Sequence, residues 1–225
     1  MNNTEIDRIF QSVGSRYGYS DVTAEYSPFR EFRIKWQRNY KWANFEVSDY
    51  LDTAPESVMV PLADTIFMKI KGESDVAYPK EVSDWLTSEE FLRSKQPVYL
   101  ERFTGLSRST RGRCRDIRDS YERLIDDGLL ERDDDIRFGW VRPGNSRATG
   151  HSSILMKVVS MSELLDSDSV NEIVMDYCLY AQLAHISMGF NPTNKRRGIQ
   201  YDEMLSRYPL RSEAEGKLRR LSMHI

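Results

Sequence analysis

The stretch SVNEIVMDYCLYAQLAHISMG, residues 169–189, constrains this chain more than any other. Ser169 and Glu172 have the S-x-x-E spacing of a capping box, and Gly189, followed by Pro192, marks a stop. Val170, Ile173, Val174, Tyr177, Ala181, Ala184 and Met188 recur at three- and four-residue steps and share one helix face. Cys178, Leu179, Leu183 and Ile186 put apolar groups on the other faces. A helix that is apolar all round needs a protein interior around it. The sequence therefore predicts a central helix, and every other element must be able to pack on it.

The remaining elements follow from periodicity. Ile6, Ile9, Phe10 and Val13 predict an amphipathic helix over residues 4–17. In FREFRIKWQRNYKWANFEVS, Phe32, Ile34 and Trp36 alternate with Arg33 and Lys35, and Ala43, Phe45 and Val47 alternate with Asn44 and Glu46. That period of two, broken by Gln37-Arg38-Asn39, predicts an antiparallel hairpin. Val58, Leu62, Ile66 and Ile70 predict a helix over 52–72, with Pro61 kinking it or delaying its start and Gly72 capping it. Val82, Trp85, Leu86, Phe91 and Leu92 predict one short helix over 79–94. Ile117, Tyr121, Leu124 and Ile125 predict a helix ending at Gly128. Ile136, Phe138 and Trp140 predict a strand, and the turn-rich RPGNSRATG leads to a second strand over 154–159. The fold class expected is α+β, a small sheet with an antiparallel hairpin on several helices.

No internal repeat is evident, and no Gly/Ser/Pro-rich linker divides the 225 residues, so a single domain is expected. Within it, residues 1–50 form the N-terminal helix and hairpin. Residues 51–135 form a helical part. Residues 136–225 hold the strand pair, the central helix and the C-terminal helices. Two cysteines, Cys114 and Cys178, are too few for a disulfide framework and form no C-x-x-C pair. No apolar run of membrane-spanning length occurs, and MNNTEIDRIF lacks the apolar core of a secretory signal. A cytoplasmic location is the expectation.

The run DYCLYAQLAHISMGF resembles the active-site helix of the SprT-like and YgjP-like zincin metallopeptidases, including the small archaeal gluzincins. The resemblance continues downstream in GIQYDEMLSRYPLRSEAEGKL, which is similar to the family's third-ligand and closing helices. Upstream, Gly150, the apolar run 154–159 and Met161-Ser162-Glu163-Leu164-Leu165 resemble the strand and turn before the helix. The family's motif holds zinc on two histidines one helical turn apart, with a glutamate activating water. Here the first ligand falls on Ala181, the general base on Gln182, and the second ligand on His185. The third ligand falls on Tyr201, or on Gln200 in a register slipped by one. Ala181 offers no ligand, Gln182 accepts no proton near neutrality, and neither His151 nor His224 has motif spacing to His185. The resemblance therefore implies a zincin-like fold, no zinc and no peptidase activity. His185 is at most a residual ligand, with Tyr201 plugging the vacated space. It also implies a peptide-binding hairpin edge, so a protein or peptide partner is expected, held by strand addition.

Two other readings stand beside it. One is an enzyme with a metal site rearranged around His185. The other is nucleic-acid binding through residues 102–118, which hold six arginines against one acid; Arg108, Arg111, Arg113, Arg115 and Arg118 are the candidate phosphate contacts. Residues 119–135 follow with eight acids against two arginines, which favours mutual neutralisation of the two runs over a polyanion site.

Overall fold

The computed structural model describes residues 1–73, 76–142, 148–191 and 196–223, with side chains through 221. Pro192, His224 and much of the 142–150 turn lie outside these. The chain is α+β, and it divides into two compact units, Met1–Arg102 and Phe103–Ile225. The division falls at the last residue of a helix rather than at a Gly/Ser/Pro-rich linker, the feature that would announce it in sequence.

The first unit opens with α1 (Asn3–Arg16), started by a capping box in which Asn2 and Glu5 satisfy each other's backbone N–H groups. It continues through β1 (Asp21–Ser27), β2 (Ile34–Arg38) and β3 (Trp42–Ser48), a 3₁₀ turn at Asp49–Leu51 and α2 (Glu56–Ile70). The strands form a sheet of order β1-β3-β2, with β3 parallel to β1 and antiparallel to β2. The hairpin and the apolar faces of α1 and α2 are those expected, whereas β1 is an addition to the expected elements. Phe10, Phe45 and Phe67 meet in the core at ring-centroid distances of 4.9 to 6.4 Å. Helix α2 starts at Glu56, after Pro55 and later than the expected Asp52, and runs through Pro61. The single helix expected over 79–94 is two, α3 (Lys80–Leu86) and α4 (Glu89–Arg102). Ser88 makes the break, its Oγ accepting from Phe91 N at 3.2 Å, the bond that starts a new helix.

The second unit contains α5 (Ile117–Asp126), β4 (Arg137–Val141), β5 (Gly150–Ser153), β6 (Val158–Ser162), a 3₁₀ turn at Glu163–Leu165, α6 (Glu172–Ser187), α7 (Arg197–Ser206) and α8 (Arg211–Met223). The strand expected over 154–159 is instead the turn of the β5–β6 hairpin followed by the start of β6, with Lys157 at φ 47. Sheet order is β4-β6-β5, parallel then antiparallel. Helix α6 is the buried centre of this unit, as expected, with ten buried residues. Its cap differs from the expectation: Asn171 accepts from Ile173 N, while Ser169 Oγ bonds Ser167 Oγ. Gly189, at φ 67, ends it.

The two units repeat one plan, which corrects the expectation of no repeat. Each runs helix, strand, antiparallel hairpin, 3₁₀ turn, helix, and in each the third strand inserts between the first two. Both third strands pass straight into the turn, through Ser48-Asp49-Tyr50-Leu51-Asp52 and Ser162-Glu163-Leu164-Leu165-Asp166. Both opening helices end alike. Tyr19 N returns to Gly14 O and Leu129 N to Leu124 O, across Gly18 and Gly128 at positive φ, where glycine pays no Cβ penalty. The echo is short enough to escape a search for sequence repeats.

Candidate functional site

Helix α6 carries Ala181, Gln182 and His185, and α7 is brought against it by side-chain contacts. Arg197, in the first turn of α7, donates to His185 O in the last turn of α6 (3.2 Å) and to Gly189 O just past its end (3.0 Å), a favourable place for a cation on a helix dipole. Tyr180 Oη donates to Met204 O at 2.8 Å. One turn beyond Arg197, the Tyr201 ring stacks on the His185 imidazole, with centroids 4.1 Å apart and planes 7° apart. Tyr201, and not the exposed Gln200, therefore faces His185. Burial holds the His185 imidazole below its ordinary range, assisted by the positive charge of Arg197 and by His151. Gln182 lies over β5: a Cβ built on Gly150 would meet its Cγ at 3.1 Å. Among the described residues, no three His, Cys, Asp or Glu side chains are grouped to hold a metal. Cys178 is buried in the same helix, and burial pushes its thiol up to about 12.

The arginines of residues 102–118 are dispersed among different tasks. Arg102 forms a two-pronged ion pair with Asp49 and donates to Phe29 O at 3.0 Å. Arg115 is tied to Ser167 O and Val170 O ahead of α6. Arg108, Arg111, Arg113 and Arg118 are exposed. The backbone amides of Arg113, Cys114 and Arg115 converge as an anion cradle, and the chain fills it itself with Asp166 Oδ1 and Oδ2. Burial pushes the Asp166 carboxyl up, and the three amide donors outweigh it, leaving the group below the usual carboxylate range.

The feature that the sequence pattern does not announce is the asymmetry of the first sheet's edges. On the β1 side, Asn3, Asp7 and Gln11 accept the N–H groups of Tyr26 (3.0 Å), Ala24 (2.9 Å) and Val22 (2.8 Å). Four residues of helix rise about 6 Å and two residues of strand about 6.6 Å, so a helix lying antiparallel to a strand meets every second amide with every fourth side chain. The β1 edge is thereby closed by side chains of α1.

The β2 edge is open: among the described residues, no strand pairs with it on that side. Asn39 N donates to Trp42 O and Ser48 N to Arg33 O. With the register of the hairpin, these bonds make Lys35–Glu46 and Gln37–Asn44 the hydrogen-bonded pairs. The N–H and C=O groups of Ile34, Trp36 and Arg38 therefore point away from the sheet. Trp36 is 44% exposed and Tyr40, at the hairpin tip, 79%. Beside this edge a cleft of about 1040 Å³ is lined by Asn3 and Asp7 of α1 and by Thr23, Glu25, Lys35, Trp36, Asn44 and Glu46 of the three strands. Thr23 and Asn44 are hydrogen-bonded across it at 2.9 Å, and Lys35 pairs with Glu46 at 3.6 Å. A signal for this surface is present in the sequence: residues 32–42 carry Arg33, Lys35, Arg38 and Lys41 with no acid, interleaved with Trp36, Tyr40 and Trp42.

No helix among the described residues is long and apolar enough to cross a membrane. Compared with known proteins, the chain matches no family model, no curated protein and no solved structure.

Proposed function

We propose that this chain is a non-catalytic binding module that holds an extended peptide along β2 by adding it as a fourth strand to the first sheet. The observation that carries this reading is the contrast between the two edges, one closed by Asn3, Asp7 and Gln11 and the other presenting the outward groups of Ile34, Trp36 and Arg38. Strand addition draws its affinity from such main-chain groups, and an edge left unguarded invites pairing with another chain. The accompanying fold reading is a zincin-like pseudo-peptidase. Its support is chemical: Ala181 cannot ligate a metal, Gln182 cannot act as a base near neutrality, and the Tyr201 ring occupies the space beside His185.

A displayed library of random peptides, panned on the whole chain, tests the binding reading. Trp36→Ala removes the ring but keeps the outward N–H, whereas Trp36→Pro removes both and is tolerated on an edge strand. Recovered peptides are expected to bind Trp36→Pro more weakly than Trp36→Ala. Equal binding to both variants, or a library that yields no binder, overturns strand addition.

A further inference from the structure

We infer that the partner strand is acidic, with an apolar side chain seated at Trp36 and carboxylates placed against Lys35 and Arg38. This rests on the strand-addition reading and specifies its partner. Along β2 the flanking side chains alternate between the two faces of the sheet. Ile34, Trp36 and Arg38 lie on the α1 side with Phe45, and Arg33, Lys35 and Gln37 on the outer side with Glu46. A strand laid against this edge meets Trp36 as the exposed apolar surface on one side. It meets a cation on each side, Arg38 on the inner and Lys35 on the outer. Opposite charges directly across a strand pair are favourable and like charges unfavourable.

The same charges argue against other occupants. A second copy pairing through its own β2 would set a strand holding Lys35 and Arg38, preceded by Arg33, and no acid, against an identical one. Cations on an edge strand suppress that self-association. A nucleic acid would find the cations of the hairpin and the exposed rings of Trp36 and Tyr40, the features that bind single strands. It would also meet Glu25 and Glu46, whose carboxylates line the cleft beside β2. A continuous polyanion cannot avoid them, whereas a peptide can place its carboxylates only where the cations are. The basic hairpin, not the arginines of 102–118, is thus the selective surface.

The experiment uses the same displayed library, panned separately on the wild-type chain and on Lys35→Glu/Arg38→Glu, with a thymidine oligonucleotide as a second probe. Wild-type binders are expected to be enriched in Asp and Glu around a central apolar residue. Binding of those peptides should fall about 10-fold or more in the double variant, since two attractive cross-strand pairs become repulsive. Peptides selected on the variant should be basic and still lose binding with Trp36→Pro. If binders depend on the β2 main chain but show no acidic bias and survive the charge reversal, this inference fails and strand addition stands. If no binder depends on β2, both fail. Oligonucleotide binding tighter than any peptide, lost in Trp36→Ala/Tyr40→Ala, makes the hairpin a nucleic-acid surface and overturns the inference.

Discussion

Asp7 Oδ1 accepts the N–H of Ala24 at 2.9 Å, one of three helix side chains that close the β1 edge. Asp7→Ala leaves that strand amide without its partner. A hydrogen bond to a charged acceptor contributes about 1.5–3 kcal/mol, and urea denaturation of the variant should show a loss of that order. Asp7→Asn keeps an accepting oxygen and should lose less. Equal stability of all three chains would mean that α1 does not guard this edge.

The stack of Tyr201 on His185 makes a pH-dependent prediction. The folded imidazole titrates below its unfolded value because burial, then Arg197 and His151, disfavour its charged form. The unfolded chain therefore takes up this proton first as pH falls. Stability from this group is complete above about 6.5, the ordinary histidine value, and is lost as pH falls from there toward the folded value. Tyr201→Ala opens the ring to water and should move the His185 titration, followed by NMR, upward. His185→Gln should flatten the decline in melting temperature across the same pH window. A titration unmoved by Tyr201→Ala would separate the two rings in solution.

The zincin-like resemblance is tested by rebuilding the site. Ala181→His, Gln182→Glu and Tyr201→His together place two imidazoles one turn apart on α6 and a third on the segment facing His185. Zinc binding the folded form better than the open chain raises its stability by mass action. The triple variant should melt higher with zinc than without, and the parent should not respond. Moving the third histidine to Gln200, on the exposed side of α7, should abolish the response. A triple variant indifferent to zinc removes the resemblance as a guide to this fold.

Ala184 is fully buried on α6. Ala184→Leu adds three methyl-sized groups to a packed interior and should cost about 1–3 kcal/mol by overpacking. An unchanged melting temperature would show this face to be open.

What sequence can and cannot deliver divides along physical lines. Periodicity finds α1, α2, α5 and α6 because each buries a stripe or, for α6, most of its surface. It finds the β2–β3 hairpin because one face alternates apolar residues against charge. It passes over β1, although Val22, Ala24 and Tyr26 alternate with Thr23 and Glu25 in DVTAEYS, because the run is short and precedes the longer hairpin pattern. It misplaces β6 because residues 154–159 are apolar through a turn at Lys157 as well as through the strand. The repeat of the two units lies in topology and cap geometry, with little more than Ser-acid-x-Leu-Asp in common as sequence. Of the candidate sites, the approach of Tyr201 to His185 is readable from motif alignment. The edge asymmetry is not, because it depends on α1 lying antiparallel to β1, a packing relation that periodicity does not encode.

Amide hydrogen exchange at β2 tests the central claim most directly. With a library-selected peptide at saturation, the outward amides of Trp36 and Arg38 should slow by about 10-fold or more, since each gains a bond that must open before exchange. The amides of Lys35 and Gln37, already bonded to β3, should change little. Outward amides that exchange at an unchanged rate while peptide is bound would contradict strand addition at this edge.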